Sequence, residues 1–174
     1  MFKKLSRSYN ISSKVGDTEF IRFGMDIEGT WRGITYHNSA YPVSDIQDIW
    51  DQIPHELQSR FSHEVMTINS DVYPHIDNGI QTSINVYTIT NGYTTAFNKP
   101  KEGRSPFKLP NQQDGLCYHF DDVDIVDSFV AQDGDAYLLN VKSLHSVYGG
   151  GNKIRQAVVL SSDIPYDELV DILN

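Results

Sequence analysis

The 174 residues suffice for one well-packed domain and are few for two. Eleven per cent aromatic residues, ten of them Tyr and eight Phe, alongside frequent Val, Ile and Thr favour β structure. A net charge of −9 and only a short basic cluster at Lys3, Lys4 and Arg7 argue against nucleic acid as a partner, and no apolar run is long enough to span a bilayer.

The start, MFKKLSRSYN, is basic and lacks the apolar stretch of a secretory signal. The single cysteine, Cys117, has no internal disulfide partner and reads as a packed thiol, so a reducing, cytoplasmic setting is expected. Residues 18–26 read as a strand. From Tyr41 to Arg60 the chain reads as helical, with Ser44 and Gln47 in a capping-box pattern and Ile46, Ile49, Trp50 and Ile53 at helical spacing. Pro54 breaks that helix and opens a short turn through Leu57 and Phe61.

Beyond residue 64 the pattern becomes short β runs: 64–70, 82–90, 93–98, 116–120, 124–132, 135–140 and 154–162. Turn residues separate them at Asn91-Gly92, Asp114-Gly115, Asp133-Gly134 and Gly149-Gly150-Gly151-Asn152. Residues 99–115, with three prolines, read as a long loop of the kind that serves as a lid. In the last strand Ile154, Val158 and Leu160 alternate with Ala157 and Val159, so both faces are partly apolar, as between a barrel interior and a helix layer. A final helix follows Pro165 with Leu169, Ile172 and Leu173 on one face. The expected fold is a single domain over 1–174, mainly β: a double-stranded β-helix (jelly roll) with helical support at about 41–61 and a β core at about 64–162.

The chemistry concentrates in three places. In Tyr73-Pro74-His75-Ile76-Asp77, extended chain points His75 and Asp77 to one side, offering an imidazole and a carboxylate to one metal ion. His145 is the best third ligand, and two His with one carboxylate leave three adjacent positions open on an octahedral ion. Arg155 lies ten residues further on, beyond the glycines. In a hairpin with an odd loop it would neighbour His145 on one face, and an even loop would turn it away.

The remaining candidates have plainer readings. His37, His55 and His63 are expected at the surface and His119 as a packed histidine. Asp121, Asp122, Asp124 and Asp127 lack the glycine and glutamate of an EF-hand and read as a solvated turn. Trp31, Tyr36 and Tyr41 suit either a substrate entrance or the core. The glycines at 149–151 form a flexible hairpin turn rather than a phosphate loop.

His75-x-Asp77, His145 and Arg155 together resemble the site pattern of Fe(II)/2-oxoglutarate-dependent dioxygenases. The segment GDAYLLNVKSLHSVYGGGNKIRQAVVLS is similar to the prolyl and aspartyl hydroxylase-like branches, and the resemblance covers roughly residues 64–162. It implies Fe(II) on His75, Asp77 and His145, and 2-oxoglutarate and O2 as co-substrates. It also implies Arg155 on the far carboxylate of 2-oxoglutarate, and hydroxylation of an unidentified substrate, a peptidyl or amino-acid side chain being favoured. Ala157 stands where some relatives carry a hydroxyl two residues after the arginine. Tyr73, Asn85, Tyr87 or Thr95 is then expected to assist. Because the carboxylate ligand is present, hydroxylation is favoured over halogenation. A cupin-like metalloprotein that does not use 2-oxoglutarate, and a silent β-sandwich interaction module, are the competing readings.

Overall fold

A computed structural model describes residues 1–11, 19–37, 43–108 and 116–173. Among the described residues eleven strands form two antiparallel sheets: β1 (Phe2–Ser8), β2 (Glu19–Ile27), β3 (Thr30–His37), β4 (Phe61–Ile68), β5 (Val72–His75), β6 (Thr82–Ile89), β7 (Thr94–Pro100), β8 (Val123–Val130), β9 (Asp135–Asn140), β10 (His145–Tyr148) and β11 (Arg155–Ser162). The large sheet runs β1-β9-β6-β11-β4-β3-β2 and the small one β5-β10-β7-β8. From β4 onward the chain passes from one sheet to the other at almost every link, and only β7 and β8 are consecutive within one sheet. That alternation wraps eight strands into a jelly roll, the double-stranded β-helix expected from the sequence.

Parity along the strands builds two cores on the two faces of the large sheet. Its inner face meets the small sheet through Met66, Ile68, Tyr87, Tyr137, Ala157 and Val159. Its outer face carries Val65, Ile84, Val86, Leu138, Val158 and Leu160 against a helical layer. All eight residues of β11 are buried, as a strand with apolar residues of both parities requires.

The helical layer is more broken than the 3.6 periodicity suggests. A 3-10 turn (Val43–Ile46) leads into α1 (Gln47–Trp50), α2 (His55–Gln58) follows Pro54, and α3 (Tyr166–Ile172) follows Pro165. Ile46, Ile49, Ile53, Leu169 and Leu173 nevertheless all pack into the outer core. The Ser44–Gln47 capping box does not form. Ile46 occupies the cap position, and the Gln47 side-chain amide instead donates to Asp51 at 2.8 Å.

Several expectations are corrected. The basic start is strand β1, at the edge of the large sheet beside β9: Phe2 packs with Phe129 and Tyr137, Leu5 enters the outer core and Lys4 pairs with Asp135 at 2.7 Å. Thr30–His37 is a further strand, paired with β2 and β4. Residues 116–120 are no strand: Cys117 alone bridges to His75 and Phe107, and Phe120–Asp122 form a 3-10 turn. Asn91 and Gly92 take the positive φ of a tight turn (49° and 77°), while Tyr41, Asp114 and Gly115 lie outside the described residues. No described helix is long and apolar enough to cross a membrane.

Candidate metal centre

β5 and β10 are antiparallel neighbours in the small sheet, with His75 directly opposite His145. Residues so paired share a face, and the two imidazole rings lie 4.3 Å apart between centroids. Asp77 follows β5 by two residues, and its backbone N–H donates to the Val141 carbonyl at 3.1 Å, fixing the chain there. One Asp77 carboxylate oxygen lies 3.3 Å from His75 Nε2 and 3.9 Å from His145 Nε2. The three donor atoms fall within 4.8 Å of one another, forming a cluster able to hold a metal ion.

Each imidazole is oriented from behind. His75 Nδ1 donates to the Tyr73 carbonyl at 2.7 Å and His145 Nδ1 to the Ser143 carbonyl at 3.0 Å. A ring nitrogen facing a carbonyl must carry the proton, so in each neutral ring Nε2 keeps its lone pair toward Asp77. Burial and the nearby His75 lower His145 to about 4, so it is neutral at ordinary pH. Burial would lower His75 as well, but its hydrogen bond to Asp77 and that carboxylate's charge outweigh burial and raise it. Burial would raise Asp77, and its contact with His75 and the charges of His145 and Lys142 overcome it and hold the carboxylate down. Two imidazole nitrogens and one ionised carboxylate oxygen converging in a partly buried corner suit a divalent cation.

Arg155 reaches the interior by a different route from the one expected. β10 and β11 are not a hairpin: β10 pairs with β5 and β7, and β11 with β4 and β6. Gly149–Asn152 therefore carries the chain between sheets, so counting loop residues as odd or even does not decide where Arg155 points. It lies opposite Ile68, on the inner face of the large sheet, and its guanidinium donates to Thr95 Oγ1 on the small sheet at 2.7 Å. The guanidinium carbon also lies 4.4 Å from the Tyr87 ring centroid. Arg155 is 1% exposed, its Nε has no hydrogen-bond partner, and no carboxylate pairs with it among the described residues.

Of the groups expected to assist Arg155, Tyr87 and Thr95 touch it. Asn85 is one contact removed: its amide donates weakly toward the Tyr87 hydroxyl at 3.5 Å, and its carbonyl accepts from Ser83. Tyr73 belongs to a separate aromatic group with Phe107, His119 and Phe120. His119 is exposed there, stacked on Phe107 at 4.4 Å, rather than packed in the core. His55 and His63 are exposed and His37 is half-buried. A cleft of about 560 Å³, walled in part by Phe23, Ile34, Val72, Tyr73 and Phe120, reaches His75.

Two residues escaped the sequence reading. Lys142 donates to the Asp77 backbone carbonyl at 3.3 Å. Glu64, on β4, stands half-buried in phase with Met66 and Ile68, and burial lifts its carboxyl to about 7. The signal for Glu64 was its parity: it is a carboxylate at an inward position of a strand.

No family model matches the chain, and no curated protein matches it. Among solved structures it is similar to that of E. coli ycfD, at 14% identity and a TM-score of 0.48, over 87% of this chain and 39% of that one. It is also similar to vicilin from Corylus avellana (hazelnut), at 12% identity and a TM-score of 0.39, over 75% of this chain and 28% of that one. The chain thus spans well under half the length of either. What stands on its own geometry is a jelly roll carrying a His, Asp and His cluster that could hold a metal ion.

Proposed function

We propose that the chain is an Fe(II)- and 2-oxoglutarate-dependent oxygenase that hydroxylates a substrate yet to be identified. The observation that carries this reading is Arg155: a guanidinium buried in the same sandwich as the His75, Asp77 and His145 cluster, with no carboxylate among the described residues to balance it. An unpaired buried charge is costly, by several kcal/mol, and persists where a ligand completes the pair. The fork of a guanidinium fits a carboxylate in two parallel hydrogen bonds.

His75, Asp77 and His145 would hold the iron, where co-substrate and O2 would meet. With Fe(II) held there, the chemistry supplied is oxidative decarboxylation of 2-oxoglutarate to succinate and CO2, one oxygen atom entering succinate and the other a substrate C–H bond. Arg155 would pair with the far carboxylate, steadied by Thr95 and by the Tyr87 face. The carbonyls of Tyr73 and Ser143 hold both imidazoles in the ligating tautomer. The apolar residues of the inner core exclude water from the buried end of the cavity.

A cupin-like metalloprotein without 2-oxoglutarate is the second reading. It is favoured by the cleft, which reaches His75 while Arg155 contributes nothing to its walls. Anaerobic titration of Fe(II)-loaded protein with 2-oxoglutarate, followed by visible absorption, separates the two. A charge-transfer band that is lost in His145→Ala supports the oxygenase. Bound iron without a band supports the second reading.

A further inference from the structure

The cleft that reaches His75 has the β2–β3 hairpin on one side and the segment carrying Ser70 to His75 on the other. Along β3 the inward positions are Tyr36, Ile34 and Arg32, because residues two apart share a face. Ile34 is level with Ile68 and Arg155 across the sheet, so Arg32 stands one step outward from Arg155 on the same face. That step takes it out of the core and into the cleft wall. Arg32 is the one lysine or arginine among the residues lining the cleft.

Asn69, just past β4, holds it there. The Asn69 backbone N–H donates to the Gly33 carbonyl at 3.1 Å, and its side-chain carbonyl accepts from the Gly33 N–H at 2.9 Å. Its backbone carbonyl accepts from the Arg32 guanidinium at 3.3 Å. A guanidinium carries more donors than that one bond uses, and no carboxylate pairs with Arg32 among the described residues. The acidic residue of the wall, Asp71, is exposed, and its carboxylate accepts from the Gly149 N–H at 3.0 Å. From Asn69 the chain runs on along the wall through Val72 and Tyr73 to His75, so one segment joins the cation to a ligand of the cluster. The rest of the wall is largely apolar, with Phe23, Ile34 and Phe120. A cation fixed by backbone at one part of an apolar cleft, with donors to spare, suits an incoming anion.

We propose that the cleft is the primary-substrate site, that Arg32 is its specificity-determining residue, and that the substrate is a carboxylic acid with an apolar body. The carboxylate pairs with Arg32, the body lies against Phe23, Ile34, Val72 and Phe120, and the far end approaches His75. The two arginines then serve different molecules: Arg155, buried and off the cleft wall, is left to the co-substrate. The approach to His75 rests on the reading of His75, Asp77 and His145 as a metal centre, whereas the pairing with Arg32 does not.

Ligand-observed proton NMR titration tests it. The probes are octanoate and phenylbutyrate, their uncharged amides, and acetate, which has the head without the body. Saturation transfer from metal-free protein reads binding, with and without 2-oxoglutarate. Relaxation of probe protons by bound Co(II) reads nearness to the cluster, and the Co(II) absorption spectrum confirms loading. The expected result is binding of the two acids, weakened at least about tenfold in Arg32→Met and less in Arg32→Lys, with the amides and acetate weak throughout. With Co(II) loaded, the protons furthest from the carboxylate should relax fastest. Amides that bind wild type as well as the acids overturn the proposal without any variant, and so does an unchanged affinity in Arg32→Met. Fastest relaxation at the carboxylate end, no relaxation at all, or displacement of the acids by 2-oxoglutarate overturns it as well. Failure of Co(II) to load counts against the metal centre alone, because acid against amide on metal-free protein still decides the pairing with Arg32.

Discussion

His75 and His145 face each other across the β5–β10 pair, and each is held by the carbonyl of the residue two positions before it: Tyr73 for one, Ser143 for the other. The symmetry of these supports means that backbone, rather than further side chains, sets both ring tautomers. A metal site so preorganised needs little rearrangement on loading.

Metal should therefore stabilise the fold through all three ligands. With Co(II) or anaerobic Fe(II) at a hundredfold excess over its dissociation constant, unfolding should become harder by about 2.7 kcal/mol. Asp77→Ala should lose this stabilisation, because it removes the one anionic ligand and leaves two imidazoles alone. Thermal unfolding with and without metal measures the difference. A metal-induced rise in Tm that persists in Asp77→Ala would remove Asp77 from the centre.

Arg155→Met should uncouple stability from function. The apolar chain fills the same space and removes a buried charge that has no carboxylate partner among the described residues, so stability should hold or rise, by up to about 4 kcal/mol. Metal binding should persist, and the 2-oxoglutarate-dependent absorption band should vanish. Thr95→Val acts in the opposite sense on stability: it strips the guanidinium of its hydroxyl acceptor and should destabilise by about 1–3 kcal/mol. Denaturant midpoints for the two variants give the comparison.

Glu64 makes stability depend on pH in a direction unusual for a carboxylate. Its folded-state value is raised, from 4.5 to about 7, chiefly by burial. For an acid raised in this way, the favourable contribution is complete below the unfolded value and is lost as pH climbs through the folded one. Between pH 4.5 and 7 wild type should thus lose up to about 3 kcal/mol relative to Glu64→Gln. The two proteins should match near pH 4 and diverge progressively from about pH 4.5 up to about pH 7 in chemical denaturation. Parallel curves over that range would show that Glu64 is solvated.

Gly150→Ala should be among the most damaging single changes. A Cβ there would lie 2.0 Å from Tyr93 Cε2, and Tyr93 is fully buried with its hydroxyl donating to the Lys153 carbonyl at 2.8 Å. The ring has nowhere to move, so destabilisation of about 3 kcal/mol is expected from overpacking. Tyr93→Leu should relieve the clash, and a double-mutant cycle on unfolding would reveal the coupling.

Local pattern carried much of this molecule. The two-sided apolar character of β11, the turn at Asn91-Gly92 and the i, i+2 spacing of His75 and Asp77 all follow from periods of one strand. What escaped was set by partners distant in sequence. β1 reads only as a basic start until Lys4 meets Asp135 and Phe2 meets Phe129. The connection from His145 to Arg155 looks like a hairpin because glycines suit hairpins, yet here they turn the chain from one sheet to the other. Glu64 shows no motif at all, and its partial burial follows only from the strands that pair on either side of β4.

That crossing at Gly149–Asn152 has a mechanical consequence. With His145 on one sheet and Arg155 rooted in the other, the bond from Arg155 to Thr95 is a strap across the sandwich, fastened to the strand that pairs with the one carrying His145. Any sliding of one sheet over the other would have to break that bond, so the strap holds the two sheets in register beside the cluster.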